Sequence, residues 1–282
     1  MENTVKFNIN SFFQRIISMF KVDLRRLLKS RLFYIMIGIA FVVPILIIVM
    51  TSMMEGTPMN DQNGNPLLDE FGNQVLMEGF KSAWQSLGSL GSSGMGMDAS
   101  GGMGMDLTGM CNINLVFFAI SVFICLFVSE DFRSGYAKNL FTVRAKKSDY
   151  VISKTAIGFI VGALMLLAYF IGSLLGSAVS DLSFALEGIT IYNIVMCLLS
   201  KIFIMLVFSS IFVLISIAAK QRAWLSICIS LGGGMLLFTM VVIVTPLNAG
   251  IIHVLLCLIG GLGFSIGLGA ISNLILSKNN IL

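Results

Sequence analysis

Few residues in this chain of 282 could do chemistry, and they do not form a catalytic set. Lys201 is the one candidate charge inside a long apolar run, and His253 is the only histidine. A lone histidine builds neither a zinc site nor a catalytic dyad. H-E-x-x-H and a close pair of embedded aspartates are missing, and with a single histidine an intramembrane protease or a lipid hydrolase is a poor reading. No G-x-x-x-x-G-K-[ST] occurs, and no Gly-Lys pair, so the chain holds no ATP in a P-loop of its own. Embedded carboxylates that could relay protons or sodium are also missing, and no internal repeat is evident, so the energy for any transport must come from elsewhere. The five cysteines, Cys111, Cys125, Cys197, Cys228 and Cys257, lack metal-ligand spacing and read as small buried apolar residues. Met95, Met97, Met103, Met105 and Met110 punctuate a Gly-rich stretch. Thioethers suit Cu(I), but the same residues fit a flexible hydrophobic loop.

These residues must be positioned by membrane helices. The chain is 57% hydrophobic and only 11% charged, with a mean hydropathy of +0.95. So few charges cannot cover a soluble fold of this size, which excludes a soluble enzyme, a nucleic-acid-binding domain and a disordered chain. Charge-free gaps predict six spans of about 20 residues or more, at about 33–53, 112–129, 153–177, 190–219, 224–245 and 250–276. The predicted fold is all-α, because lipid cannot satisfy free backbone groups. Sixteen of the 18 Lys and Arg fall on one side, which the positive-inside rule makes cytoplasmic, with both termini inside. The opposite loops carry nine acids and Lys81. The first apolar run is too long for a signal peptide and predicts an uncleaved anchor. Lys201 stands 19 residues before Lys220, about 28 Å along a helix, near the outer edge of the bilayer. It either snorkels to that edge or contacts substrate.

Residues 1–32 form an N-terminal segment with an amphipathic helix: Ile9, Phe13, Ile16, Phe20, Leu24 and Leu27 recur at steps of three and four. This suits a helix in the inner membrane interface, or one packed on a partner. Residues 33–282 form the transmembrane domain. Its large outer loop, 54–110, has turn signals over 60–75 and a predicted short helix over 76–90 carrying Phe80 and Trp84 at the interface. Trp224 reads as an interfacial anchor. Gly158/Gly162 and Gly172/Gly176 are GxxxG pairs. Gly260, Gly263, Gly267 and Ala270 share one face of the last span, which predicts tight packing. Gly232-Gly233-Gly234 predicts a weak or bent point.

The loop 130–152 is the most informative segment. It begins Glu130-Asp131-Phe132-Arg133-Ser134-Gly135-Tyr136-Ala137-Lys138-Asn139-Leu140 and leads to Ser148-Asp149-Tyr150 and Ser153-Lys154. A charged helix here could dock in a groove of a soluble partner, with Glu130 and Asp131 favouring its N-terminal dipole and Phe132 and Tyr136 as apolar anchors. The loop resembles the signature loop of bacterial ABC-2 type transporter permeases, at Glu130, Gly135, Lys138, Leu140, Ser148, Tyr150, Ser153 and Lys154. It departs from the pattern at Val143–Ala145 and Asp149. The resemblance implies a peptide-export or immunity-type subunit in a bacterial cell membrane, with two copies of this chain and two ATPase subunits. ATP and Mg then sit on the partner, and this chain binds no cofactor or nucleic acid. Glu130, Asp131, Phe132, Arg133, Gly135, Tyr136 and Lys138 are the expected coupling residues, and Lys201 is a candidate on the substrate path. Apolar walls suit amphipathic peptides, lipids or drugs, and the basic face suits anionic membrane lipid. The rival readings are an ATPase-independent channel or secondary carrier, and a copper-handling permease.

Overall fold

The computed structural model describes residues 9–58, 66, 68, 72–74, 76, 79–80, 82–88, 112–143, 146–186, 188–220 and 222–278. The Met-Gly stretch, with its five methionines and Cys111, lies outside them. So do Lys81, Arg144 and Ala145.

The described elements are helical: α1 (Ile9–Lys29), α2 (Arg31–Met54), α3 (Leu115–Arg133), α4 (Tyr136–Val143), α5 (Lys147–Val179), α6 (Ile191–Ala219), α7 (Ala223–Val244) and α8 (Ile251–Lys278). Five of them, α2, α3, α5, α6 and α8, are long and apolar enough to cross a membrane. The remaining expected span is α7, a continuous 22-residue helix. The triple glycine predicted to weaken α7 does not interrupt it. A Cβ at Gly232 or Gly233 would meet open space, and one at Gly234 would touch only the Phe118 ring.

Helix α5 is the hub of the bundle, and its glycines explain why. Backbones approach closely where side chains are missing. Gly158 and Gly162 face Ile124 of α3 and Ser209 and Met205 of α6, while Gly172 and Gly176 face the backbone of Phe41 and Ile45 in α2. Both GxxxG pairs therefore lie on one face of the helix and seat different neighbours at different heights along it. The last span behaves differently from expectation. Cβ atoms at Gly260, Gly263 and Gly267 would meet nothing, and Gly261, one residue off that stripe, packs on the Phe203 carbonyl of α6. The stripe Gly260–Gly267 faces outward because the wide α6–α8 contact uses the neighbouring face.

At the end bearing the acidic loops, residues 79–80 and 82–88 fold back onto the bundle. Among the described residues of the predicted short helix, one 3-10 turn forms, Ala83–Leu87. Phe80, Ala83 and Leu87 are buried. The Trp84 indole donates to the Phe184 carbonyl at 2.6 Å, and Ile113 N–H donates to the Ser86 carbonyl at 2.9 Å. Isolated antiparallel bridges, Pro58 with Leu76 and Leu68 with Gln74, frame the turn region, where Gly72 takes φ +79°. Trp224 lies at the start of α7 and is 77% exposed. His253 accepts from the Gly250 N–H at 3.2 Å and closes the first turn of α8.

A buried ionic cluster beneath α4

At the basic end, α1 crosses the bundle and places its only acid, Asp23, in the interior. Its core side, Met19, Asp23 and Leu27, is buried at helical spacing. Asp23 meets two consecutive residues of α5. Ser153 Oγ donates to Asp23 Oδ2 at 2.6 Å, and Lys154 Nζ donates to Asp23 Oδ1 at 2.8 Å. The same lysine stands 2.7 Å from Asp131 Oδ2 of α3. Tyr150, one turn earlier on α5, donates its hydroxyl to Asp131 Oδ2 at 3.1 Å. Arg26, one turn beyond Asp23 on α1, places Nη2 2.7 Å from Asp131 Oδ1 and Nη1 3.8 Å from Asp23 Oδ1.

Two carboxylates and two cations thus alternate and cancel. Asp23, Asp131 and Lys154 have no more than 1% exposure, deep enough that none could stand without its partners. Aromatic rings close the sides. Lys154 lies 4.3 Å from the Phe127 centroid, and Arg26 lies 4.1 Å from that of Tyr136, separations suited to cation–π attraction. Burial works against the charge of Arg26, but the facing Asp131 carboxylate outweighs it and raises the pKa of the guanidinium above its ordinary value. The Tyr136 phenol is also pushed up, first by burial and then by the Asp23 carboxylate. Beside the cluster, Arg15 pairs with Asp149 at 3.3 Å, a second bridge from α1 to the start of α5. Lys147 donates to the Leu276 carbonyl at 2.8 Å and caps the end of α8.

The segment 130–143 is built differently from the single charged helix expected. Glu130 and Asp131 belong to the last turn of α3, where the helix dipole disfavours anions. Asp131 is stable there because of Lys154 and Arg26. The helix ends at Gly135, whose φ of +74° suits glycine. No side chain crowds Gly135, so it makes a bend and not a close approach. Helix α4 starts immediately afterwards.

Phe132 and Tyr136, expected as anchors for a partner, face inward. Phe132 packs edge-on against Tyr150 at 6.2 Å, and Tyr136 covers Arg26. Phe141 of α4 also packs edge-on against Tyr150, at 5.4 Å. Helix α4 therefore rests on the ionic cluster through Tyr136 and Phe141, while Glu130, Arg133, Lys138, Asn139 and Thr142 stay exposed.

Lys201 departs from the snorkelling expectation. It is 1% exposed and donates to Asn114 Oδ1 at 2.7 Å and Thr245 Oγ1 at 3.0 Å. Asn114 caps the start of α3 and Thr245 the end of α7, so Lys201 of α6 joins three helices at the end opposite the cluster. Among the described residues no carboxylate pairs with it. The α7 C-terminal dipole favours a cation there.

Asp23, Arg26, Tyr150, Ser153 and Lys154 were not among the coupling residues expected from sequence. Tyr150, Ser153 and Lys154 stood in the recognised motif. Asp23 carried one usable signal, as the only acid in an otherwise basic amphipathic helix.

A family model described as ABC-2 family transporter protein matches residues 85–237, more than half of the chain. No curated protein and no solved structure gives a significant match. The matched region contains α3, α4, α5 and α6 entire, with Asp131, Lys154 and Lys201 in it. This multi-pass helical membrane protein therefore belongs to the ABC-2 transporter family.

Proposed function

We propose that the chain is the membrane subunit of an ATP-driven exporter, working as a pair with two ATPase subunits on the cytoplasmic side. The observation that carries this reading is the seating of α4 on the ionic cluster. An ATPase gripping the exposed Glu130, Arg133 and Lys138 side would push α4 against Tyr150 through Phe141 and against Arg26 through Tyr136. Asp131 and Lys154 would pass that displacement into α3 and α5, and Asp23 into α1. A cluster that cannot break without stranding a buried charge moves as a unit, which suits rigid-body transmission. Gly135 lets α4 keep its own direction while joined to α3.

The substrate class that fits apolar spans is an amphipathic one, and peptides suit the acidic loops at the outer end best, since those loops attract cations. In this scheme the chain sits in a bacterial cell membrane, and the basic end that bears α1 and α4 supports both termini lying inside. ATP and Mg belong to the partner in this scheme.

The test is co-purification of the full chain with candidate ATPases, followed by reconstitution. Wild type should retain a stoichiometric ATPase and export a labelled cationic peptide with ATP. Glu130→Ala/Lys138→Ala should lose the partner while its thermal stability stays unchanged. Transport by the chain alone, with no ATPase bound, would sink the proposal in favour of a channel or secondary carrier.

A further inference from the structure

The five basic residues of α1 divide into two sets. Arg15 pairs with Asp149 and Arg26 with Asp131. Lys21, Arg25 and Lys29 are exposed, and none pairs with a carboxylate among the described residues. At about 100° per residue these three lie together on one edge of the helix. Phe13, Ile17 and Leu28, at 56%, 49% and 51% exposure, form the adjoining edge. Asp23 and Leu27 lie on the remaining side, against the bundle. The helix thus has a core edge, an uncovered apolar edge and a basic edge, in that order around its axis, with the exposed Val22 just beyond the basic edge. Its orientation is fixed at the C-terminal end as well. The Tyr34 hydroxyl of α2 donates to the Leu28 carbonyl at 2.9 Å, holding the α1–α2 corner where the first span begins.

A groove of a soluble partner would cover apolar and basic residues together. Here they are segregated on neighbouring edges of a helix lying beside a span. A bilayer surface matches that order, with acyl chains against Phe13, Ile17 and Leu28 and anionic phosphates against Lys21, Arg25 and Lys29. We infer that α1 is a binding surface for anionic phospholipid headgroups, and that their occupancy holds Asp23 and Arg26 in the ionic cluster. Lipid charge would then set how firmly α4 is connected to α3 and α5. This last consequence rests on the permease reading, whereas the binding itself does not.

The binding is tested on the full chain in detergent, without an ATPase, by counting retained phosphatidylglycerol against phosphatidylcholine with native mass spectrometry. Wild type should retain phosphatidylglycerol selectively. The affinity should fall about fivefold for each base replaced in Lys21→Gln, Arg25→Gln and Lys29→Gln, and high salt should weaken it. Inorganic phosphate should not compete, because it lacks the acyl chains that engage the apolar edge. In proteoliposomes with the ATPase, hydrolysis should rise with phosphatidylglycerol content for wild type and stay flat for the triple variant, with equal rates in pure phosphatidylcholine. Equal retention of the two lipids by wild type, or undiminished retention by the triple variant, overturns the inference. Loss of ATPase binding by the triple variant in lipid-free detergent would also overturn it and assign the basic edge to a protein partner.

Discussion

Lys154 Nζ lies 2.7 Å from Asp131 Oδ2, so the start of α5 is bonded to the last turn of α3 through a buried ion pair. The same lysine reaches Asp23 of α1, and one cation thereby ties three helices. Removing it leaves two buried carboxylates facing one arginine. Lys154→Met should cost about 3–5 kcal/mol, the usual effect of stranding a buried charge. Thermal unfolding in detergent would show it as a large fall in Tm. Adding Asp131→Asn to Lys154→Met should recover part of the loss, and no recovery would mean that the cluster is not electrostatically coupled.

The opposite end of α3 should respond with a different asymmetry. Lys201 bonds to neutral Asn114 and Thr245. Replacing the lysine removes the buried charge together with its hydrogen bonds, so Lys201→Met should change stability by only about 1 kcal/mol. Asn114→Ala keeps the cation and removes an acceptor, and should cost about 2–3 kcal/mol. The order of the two melting temperatures decides the matter. An Asn114→Ala protein as stable as Lys201→Met would contradict the structure.

The two glycine stripes should diverge under the same substitution. A Cβ at Gly172 would strike the Phe41 backbone carbonyl, which cannot rotate away, whereas one at Gly263 meets open space. Gly172→Val should destabilise the protein by at least about 1–3 kcal/mol, the usual cost of overpacking. Gly263→Val should stay within about 0.5 kcal/mol. Yield and melting of the monodisperse protein report both.

Within the segment 130–143, proposed to meet the ATPase, stability and partner binding should separate. Phe132 is buried against Tyr150, so Phe132→Ala should cost about 3 kcal/mol of stability. Lys138→Glu, at an exposed position, should leave melting unchanged and lower ATPase retention. Equal melting of the two variants would show that Phe132 does not pack in the core.

Tyr136 supplies a pH signature. Its phenol pKa is raised in the folded protein, by burial first and by Asp23 second. A raised pKa means that folding favours the protonated form. That contribution is complete below the unfolded value of about 10 and is lost as pH rises through the folded value. Tyr136→Phe keeps the ring over Arg26 and should flatten the alkaline limb of a stability profile taken between about pH 9 and 12. An unchanged alkaline limb would assign that loss to another group.

The sequence alone determined the class and the plan. Charge-free gaps longer than a bilayer span, Lys and Arg collected at one end, and an amphipathic helix ahead of the first span are one-dimensional patterns, because membrane thickness and helix period impose them directly on the order of residues. The structure reproduces the expected helices to within a few residues at most ends, and α7 as a helix. The loop motif also sufficed to identify the family. Which residues meet was a different matter. Asp23 and Lys154 are 131 positions apart, and no local period connects them. Whether Asp131 starts one helix or ends another depended on the bend at Gly135. Whether Phe132 faced a partner or the core depended on where α5 placed Tyr150. Lys201 looked like a snorkelling lysine because its depth along one helix is readable, while the caps of α3 and α7 that receive it are not. Pairing between helices comes from the packing of whole faces, and only the tertiary structure decides which faces those are.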